Sequence, residues 1–131
     1  MLIISRSYLV EVNLANAVST GARYNFLDVP QLRKVYVQGV EAFDITGLAV
    51  SPNGKTIVSA AGSLSVIVTL CVGDKEDIYQ IPYYTLVAKN NGGIIREFAN
   101  KMINLTKSYV QLVGTAGLTA NESCIFNFYY K

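Results

Sequence analysis

The sequence predicts an all-β chain folded as one antiparallel sandwich or barrel. Residues 64–72 and 124–130 alternate between apolar and other side chains, which is the period of a strand with one face against a core. Similar runs recur at short spacing, separated by Gly, Asn and Pro, as in β-sandwiches and barrels. The chain has 131 residues, close to the usual size of one domain. We therefore expect one domain over residues 1–131, with about eight strands and little helix.

Strand-like runs follow one another through the first half of the chain. They span residues 8–14, 24–27, 34–43, 45–50 and 55–60. The second run is a short piece within a predicted loop over residues 15–30, because Gly21 and Asn25 favour turns and Pro30 biases Val29 to an extended shape. Residues 51–54, Ser-Pro-Asn-Gly, are typical of a tight turn and predict a hairpin between the last two runs.

The run 34–43 has a glycine at its centre. In regular alternation Val35 and Val37 face one way, while Tyr36 and Val40 face the other. Gly39 predicts either a bulge or a close approach of two backbones, because glycine in a strand marks such places.

The second half begins with the most regular run, residues 64–72, and its charged end 73–77 is a predicted loop tip. An extended stretch follows over 78–88, in which Pro82 predicts an edge, a bulge or a strand boundary. Residues 90–93 predict a turn, and 94–102 have helix-compatible spacing, with an irregular strand as the alternative. Further strands are predicted over 103–106, 108–113 and 123–131, with turn residues at 114–122.

The last run has one almost wholly apolar face. Cys124, Phe126, Phe128 and Tyr130 lie on that face, which we expect to meet the core. The opposite face is mixed in polarity and suits either water or a neighbouring chain. A strand this aromatic is expected to be paired, inside a sheet.

Composition favours a surface that is partly covered by other subunits. Charged residues make up 15% of the chain, against about 25% in ordinary soluble domains, and hydrophobic residues make up 51%. Interface cores are depleted in Lys and Glu and enriched in Tyr, and this chain has nine Tyr. A well-filled core under a Ser/Thr/Asn surface is the alternative. The net charge of +2 gives no electrostatic footprint for nucleic acid.

Catalytic and metal-binding patterns are missing from the sequence. There is no His, which excludes a Ser-His triad, histidine acid–base catalysis and a His metal site. Cys71 and Cys124 lie in apolar strand-like runs, which favours buried free thiols over a disulfide. We expect no enzymatic activity, no cofactor, no metal and no membrane span.

The whole arrangement of short strands, with residues 103–113 followed by 122–130, resembles a single jelly-roll protein of virus particles. The closing sequence is similar in character to the last strands of phage capsid-associated proteins. The resemblance implies a jelly-roll-like antiparallel β-sandwich of two four-stranded sheets. It implies assembly into trimers or pentamers with other capsid proteins, as a coat, vertex, minor capsid or decoration subunit made in the host cytoplasm and carried in the virion.

The predicted function is therefore that of a virion structural protein acting through self-assembly. The mixed strand faces offer Tyr36, Ile125 and Tyr129 as candidates for contacts between copies, and the loop tips around Asp74 and Asn91 are candidates for contacts between capsomers. The alternative is a carbohydrate-binding module, such as a lectin-like or receptor-binding domain, although the chain has no Trp.

Overall fold

A computed structural model describes residues 6–15, 19–33, 35–72, 77–87 and 96–130. The strands are β1 Arg6–Asn13, β2 Arg23–Asn25, β3 Tyr36–Phe43, β4 Val66–Val72, β5 Asp77–Pro82, β6 Arg96–Leu112 and β7 Ser123–Tyr130. Two single-turn helices, α1 Ala60–Ser63 and α2 Tyr83–Leu86, and a 3-10 turn at Pro30–Leu32 connect them. The all-β prediction is confirmed. The predicted turn at 90–93 and most of the predicted loop tip at 73–77 lie outside the described residues.

The strands form two sheets that share β6. The first sheet has the order β1, β7, β3 and the first arm of β6, from Arg96 to Met102. The second has the order β2, second arm of β6, β4 and β5, and all of these strand pairs are antiparallel. β4 and β2 pair with the same residues of β6 and therefore lie on its opposite edges.

The pairing runs through the chain in reverse order. β4 pairs with β5, β3 with the first arm of β6, β2 with the second arm, and β1 with β7. A chain whose first half pairs with its second half in this way, and then folds over on itself, is a jelly-roll-like sandwich. Counting the arms of β6 separately gives eight strands, which agrees with the predicted number of about eight, although the strands predicted at 45–50 and 55–60 are not among them.

The core lies between the sheets and is crossed by aromatic contacts. Phe26, next to β2, has its ring centroid 5.1 Å from that of Phe126 and 6.3 Å from that of Phe128, both on β7. Tyr83 on α2 meets Phe126 edge-on at 5.4 Å. The predicted core face of β7 is confirmed, because Cys124, Phe126, Phe128 and Tyr130 are all buried. Both cysteines are buried, free thiols.

β6 bends where it passes from one sheet to the other. Its register with β4 shifts between Thr69 and Cys71, so that Cys71 faces Asn104. The buried Ser108 side chain fills the gap: its hydroxyl accepts from the Cys71 amide at 3.0 Å and donates to the Asn104 carbonyl at 2.8 Å. The break in the ladder therefore leaves the Cys71 amide hydrogen-bonded, which a buried amide requires.

A bulge in β3 changes which of its residues face the core. Val37 and Gly39 lie opposite Tyr130 and Tyr129, so Gln38 is an extra residue with no partner on β7. Gly39 thus marks a bulge, as predicted. The prediction that Val40 faces away from Val37 is wrong, because the extra residue reverses the alternation and both are fully buried.

Three local predictions are also corrected. Of the two alternatives for 94–102, the helix is wrong and the irregular strand is confirmed for the described part, since Arg96–Met102 pairs with β3. Residues 45–50 form a turn because the Asp44 carboxylate accepts the Thr46 amide at 2.9 Å, and of these residues only Val50 makes a bridge, to Thr56. Leu64 is 63% exposed because it caps α1, and β4 begins only at Val66.

Candidate interaction surface

The outer face of the first sheet holds the predicted interface residues that the structure describes. On β7 this face carries Ile125, Asn127 and Tyr129, because Phe126 and Phe128 point into the core. Alternation places Leu9 on the same face of β1 and Tyr36 on the same face of β3. Leu9 is 42% exposed and Tyr36 is 54% exposed.

Tyr129 belongs to a hydrogen-bonded cluster at the centre of this face. Its hydroxyl donates to the Glu41 carboxylate through a short bond. The Asn127 side-chain amide donates to the Tyr129 hydroxyl at 3.0 Å and to Glu41 at 3.4 Å. Burial and the neighbouring Glu41 carboxylate raise the pKa of Tyr129 to about 12. The half-buried ring is thus held in one orientation, with its charged form disfavoured.

A shallow groove runs beside the cluster. It is lined by Ser7, Tyr8, Leu9, Phe43, Leu48 and Asn127. Its walls are mostly apolar, while Asn127 contributes an amide oxygen that is sheltered from water and accepts no hydrogen bond. The groove therefore has an apolar surface, and the unpartnered oxygen of Asn127 lies beneath that surface.

The other end of the outer face is covered by the loop between β3 and α1. Asn53 on this loop donates its side-chain amide to Glu11 at 3.0 Å, and Ser123 donates its hydroxyl to the same carboxylate at 2.7 Å. Ile125 lies next to Glu11 and Phe43 in the register and is fully buried. A side chain with no exposed surface cannot contact another copy, so the prediction of Ile125 as an interface residue is corrected.

The structure brings two predicted residues to one face and adds others. Tyr36 and Tyr129 share the outer face, whereas Asp74 and Asn91 lie outside the described residues. Leu9, Glu41 and Asn127 were missed as surface candidates. The alternation of residues 8–14 contained the signal for Leu9, because its neighbours Val10 and Val12 are apolar residues of the opposite parity.

Exposed apolar side chains occur elsewhere as well. Among the described residues the large hydrophobic side chains at the surface are Leu9, Leu27, Tyr36, Ile45, Val50, Leu64, Ile78, Tyr84 and Val113. They lie on both sheets and on several connections. Leu9 and Tyr36 are the two on the outer face of the first sheet.

The described residues contain no group of three or more acidic, Cys or His side chains placed to hold a metal ion. Within the same residues no helix has both the length and the apolar character that crossing a bilayer requires. Comparison with protein-family models, with curated proteins and with solved structures finds no match to this chain.

Proposed function

We propose that this chain is a structural protein that works by self-association, as a capsid or capsid-associated subunit of a virus particle. It assembles into a trimer or pentamer and contacts other capsid proteins. A jelly-roll-like sandwich suits such a role, because its two flat faces and its sheet edges can each meet a neighbour. Since fold alone does not give function, the proposal depends on the surface.

The outer face of the first sheet carries the proposal. It exposes Leu9 beside the half-buried Phe43 and Leu48, and it exposes Tyr36 at the opposite end of β3. Only 15% of the residues in the chain are charged. Apolar and aromatic side chains grouped on one face favour burial against a partner. Hydrogen bonds already hold the Tyr129 side chain in one orientation, so it would lose little conformational entropy on binding a partner.

The proposal is tested by size-exclusion chromatography with light scattering. The purified chain should give a mass of three or five protomers, and Tyr36→Lys should shift it towards the monomer by burying an unpaired charge. Gln80→Lys, at an exposed polar position on β5, adds the same charge and should leave the mass unchanged. A monomer at high protein concentration would refute self-association.

Carbohydrate binding is the second candidate, favoured by the groove beside Tyr129. An apolar wall with hydroxyl and amide groups suits a sugar, which presents both C–H faces and hydroxyl groups. Ser7 and Asn127 supply the hydroxyl and amide groups among the residues that line the groove. Binding on a glycan array by a monomeric protein, lost in Asn127→Ala, would favour this function over assembly.

A further inference from the structure

The outer edge of β1, the side away from β7, has no strand partner among the described residues. β1 pairs with β7 through eight consecutive residues with no shift in register, from Arg6 opposite Tyr130 to Asn13 opposite Ser123. No described residue pairs with the other side of β1. Within the described part of the chain, a row of backbone donors and acceptors along this edge is therefore without a strand partner.

The hydrogen bond that follows β1 identifies which groups point outward. The Leu14 amide donates to the Glu122 carbonyl at 2.8 Å, in the same register as β1 and β7. Bonding alternates along an antiparallel pair, so the even-numbered residues of β1 bond to β7. The backbone groups of Ser7, Leu9 and Glu11 point away from the sheet. The same alternation holds on β7, because the Ser123 amide points away from β1 and donates to the Thr56 carbonyl at 2.8 Å.

β1 lacks several of the features by which strands avoid edge pairing, although it carries two charged residues, Arg6 and Glu11. Its eight residues contain no Pro, no Lys and no bulge. β5, at the edge of the second sheet, has six residues and ends in Pro82, which has no amide hydrogen to donate. β2, the other outer strand of the second sheet, has only three residues. Of these three edge strands, β1 is the one suited to accept another strand.

We propose that β1 pairs antiparallel with β1 of a second copy of this chain about a two-fold axis, joining two first sheets into one. This inference rests on the proposed self-association and adds a contact between two assembling units, because a two-fold contact cannot lie within a cyclic trimer or pentamer. The occupant is a second copy because the edge is self-complementary: each outward amide and carbonyl meets the same kind of group on an identical strand.

The register follows from the position of Leu9. The outward residues of the two copies can bond to one another only if the two-fold axis passes through a residue. The midpoint of Arg6–Asn13 lies between Leu9 and Val10, so these are the two residues nearest to a central axis. An axis at Leu9 sets this 42% exposed side chain against its copy and sets Ser7 opposite Glu11. An axis at Val10 would set Leu9 opposite the Glu11 carboxylate. Cross-strand pairing therefore favours the axis at Leu9.

The substitution Leu9→Pro tests the contact, because it removes an outward amide while leaving the hydrogen bonds between β1 and β7 in place. Proline is tolerated on an edge strand when its missing amide faces solvent. Leu9→Ala is the control that loses the side chain and keeps the amide. Sedimentation velocity over a range of concentrations measures the step in which the mass of the assembling unit doubles.

We expect Leu9→Pro to weaken the doubling step at least about tenfold, since each pair of copies loses two hydrogen bonds. Leu9→Ala should retain most of it. An unchanged doubling step in folded Leu9→Pro would overturn the proposal while leaving self-association through another surface intact. A wild-type chain that shows no association at any concentration would instead overturn the proposed function. Association only with an added foreign peptide would assign the edge to another partner.

Amide hydrogen exchange of the wild-type chain gives an independent test that needs no variant. The amides of Ser7, Leu9 and Glu11 should become protected as the protein concentration rises, while those of the even-numbered residues are protected throughout. Rapid exchange of the three outward amides in the associated protein would overturn the proposal, even if Leu9→Pro failed to fold.

Discussion

The Tyr83 hydroxyl takes the place of a backbone hydrogen bond between β3 and β7. Phe43 and Ile125 are opposite residues in the register, and the Ile125 amide points towards β3. That amide donates to the Tyr83 hydroxyl at 3.1 Å, and the hydroxyl donates to the Phe43 carbonyl at 2.5 Å. Burial raises the pKa of Tyr83 well above its usual value, so the neutral hydroxyl is present at neutral pH.

We predict that Tyr83→Phe destabilises the fold by about 1–3 kcal/mol, because it leaves the buried Ile125 amide without an acceptor. Urea unfolding at neutral pH measures the change. Tyr36→Phe removes a hydroxyl from an exposed tyrosine and should alter the free energy of unfolding by less than about 0.5 kcal/mol. Equal effects in the two variants would contradict this role of Tyr83.

Tyr129 should make the stability fall at alkaline pH. The folded pKa of about 12 lies above the ordinary value of 10.0 that applies to the unfolded chain. Above pH 10 the unfolded chain therefore releases this proton while the folded chain keeps it, and the contribution of Tyr129 to stability decreases as the pH rises towards 12.

The expected result is that Tyr129→Phe makes unfolding less dependent on pH between 10 and 12 than it is in the wild type. Urea unfolding at several pH values measures this slope, and Tyr36→Phe on the same face is the control. If Tyr129→Phe and the wild type had parallel profiles, the assigned pKa would be wrong.

At the scale of elements, two glycines let α1 pack directly against the turn before β7. A Cβ atom on Gly62 would lie 2.7 Å from the Gly117 carbonyl oxygen and 2.9 Å from a Leu118 methyl carbon. Gly117 has φ of +74°, which disfavours other residues there. Ser59 donates its hydroxyl to the Gly117 carbonyl at 3.1 Å and holds the two segments together.

Gly62→Ala is predicted to cost about 1–3 kcal/mol, because the added methyl group forces the two backbones apart. Gly114→Ala, in the same turn segment, is the matched control: its Cβ would lie 3.7 Å from the Ser65 hydroxyl oxygen, an ordinary contact. Thermal or urea unfolding compares the two. A Gly62→Ala variant as stable as Gly114→Ala would show that the packing yields without strain.

The strands differ in how well local sequence patterns predict them. The core face of β7 can be predicted from the sequence, because its alternation is uninterrupted and one side meets the core along the whole strand. The sequence does not predict β6 as one continuous strand, because the irregularity within it is bridged by a hydrogen bond from the Cys71 amide on β4 to Ser108. Its first arm has apolar spacing like that of a helix, and pairing with β3 overrides that local preference.

The candidate interface residues also fall into two groups, those that alternation places correctly and one that it does not. Tyr36 and Tyr129 are found on one face because local period places them there, even across the bulge at Gln38. Ile125 has the same parity but is buried. Its neighbour Glu11 is hydrogen-bonded to Asn53 on a loop that is distant in sequence. Alternation thus predicts the side of a sheet, while coverage of that side depends on the tertiary fold.

For the molecule as a whole, the two thiols should report global unfolding. Cys71 is 4% exposed and Cys124 is fully buried, and burial raises the pKa of the Cys124 thiol, so little reactive thiolate forms. We predict that both resist a thiol reagent in native buffer and react at a rate set by unfolding. Mass spectrometry of the labelled chain over time measures this rate.

Gly62→Ala supplies the control for the labelling experiment. If labelling requires unfolding, this variant should react faster by about tenfold for each 1.4 kcal/mol of lost stability, in the regime where refolding outpaces reaction. Rapid labelling of either cysteine at a rate independent of stability would instead indicate a local opening.

The position of β7 between β1 and β3 has a consequence for biosynthesis. Both flanking strands leave the ribosome long before β7, and neither is paired with the other in the finished sheet. The nascent chain therefore carries a vacant strand position until β7 emerges, and Val10 and Val40 lack their aromatic partners on β7, Phe126 and Phe128. A chaperone that shields this gap during translation would prevent two nascent chains from filling it with each other's strands.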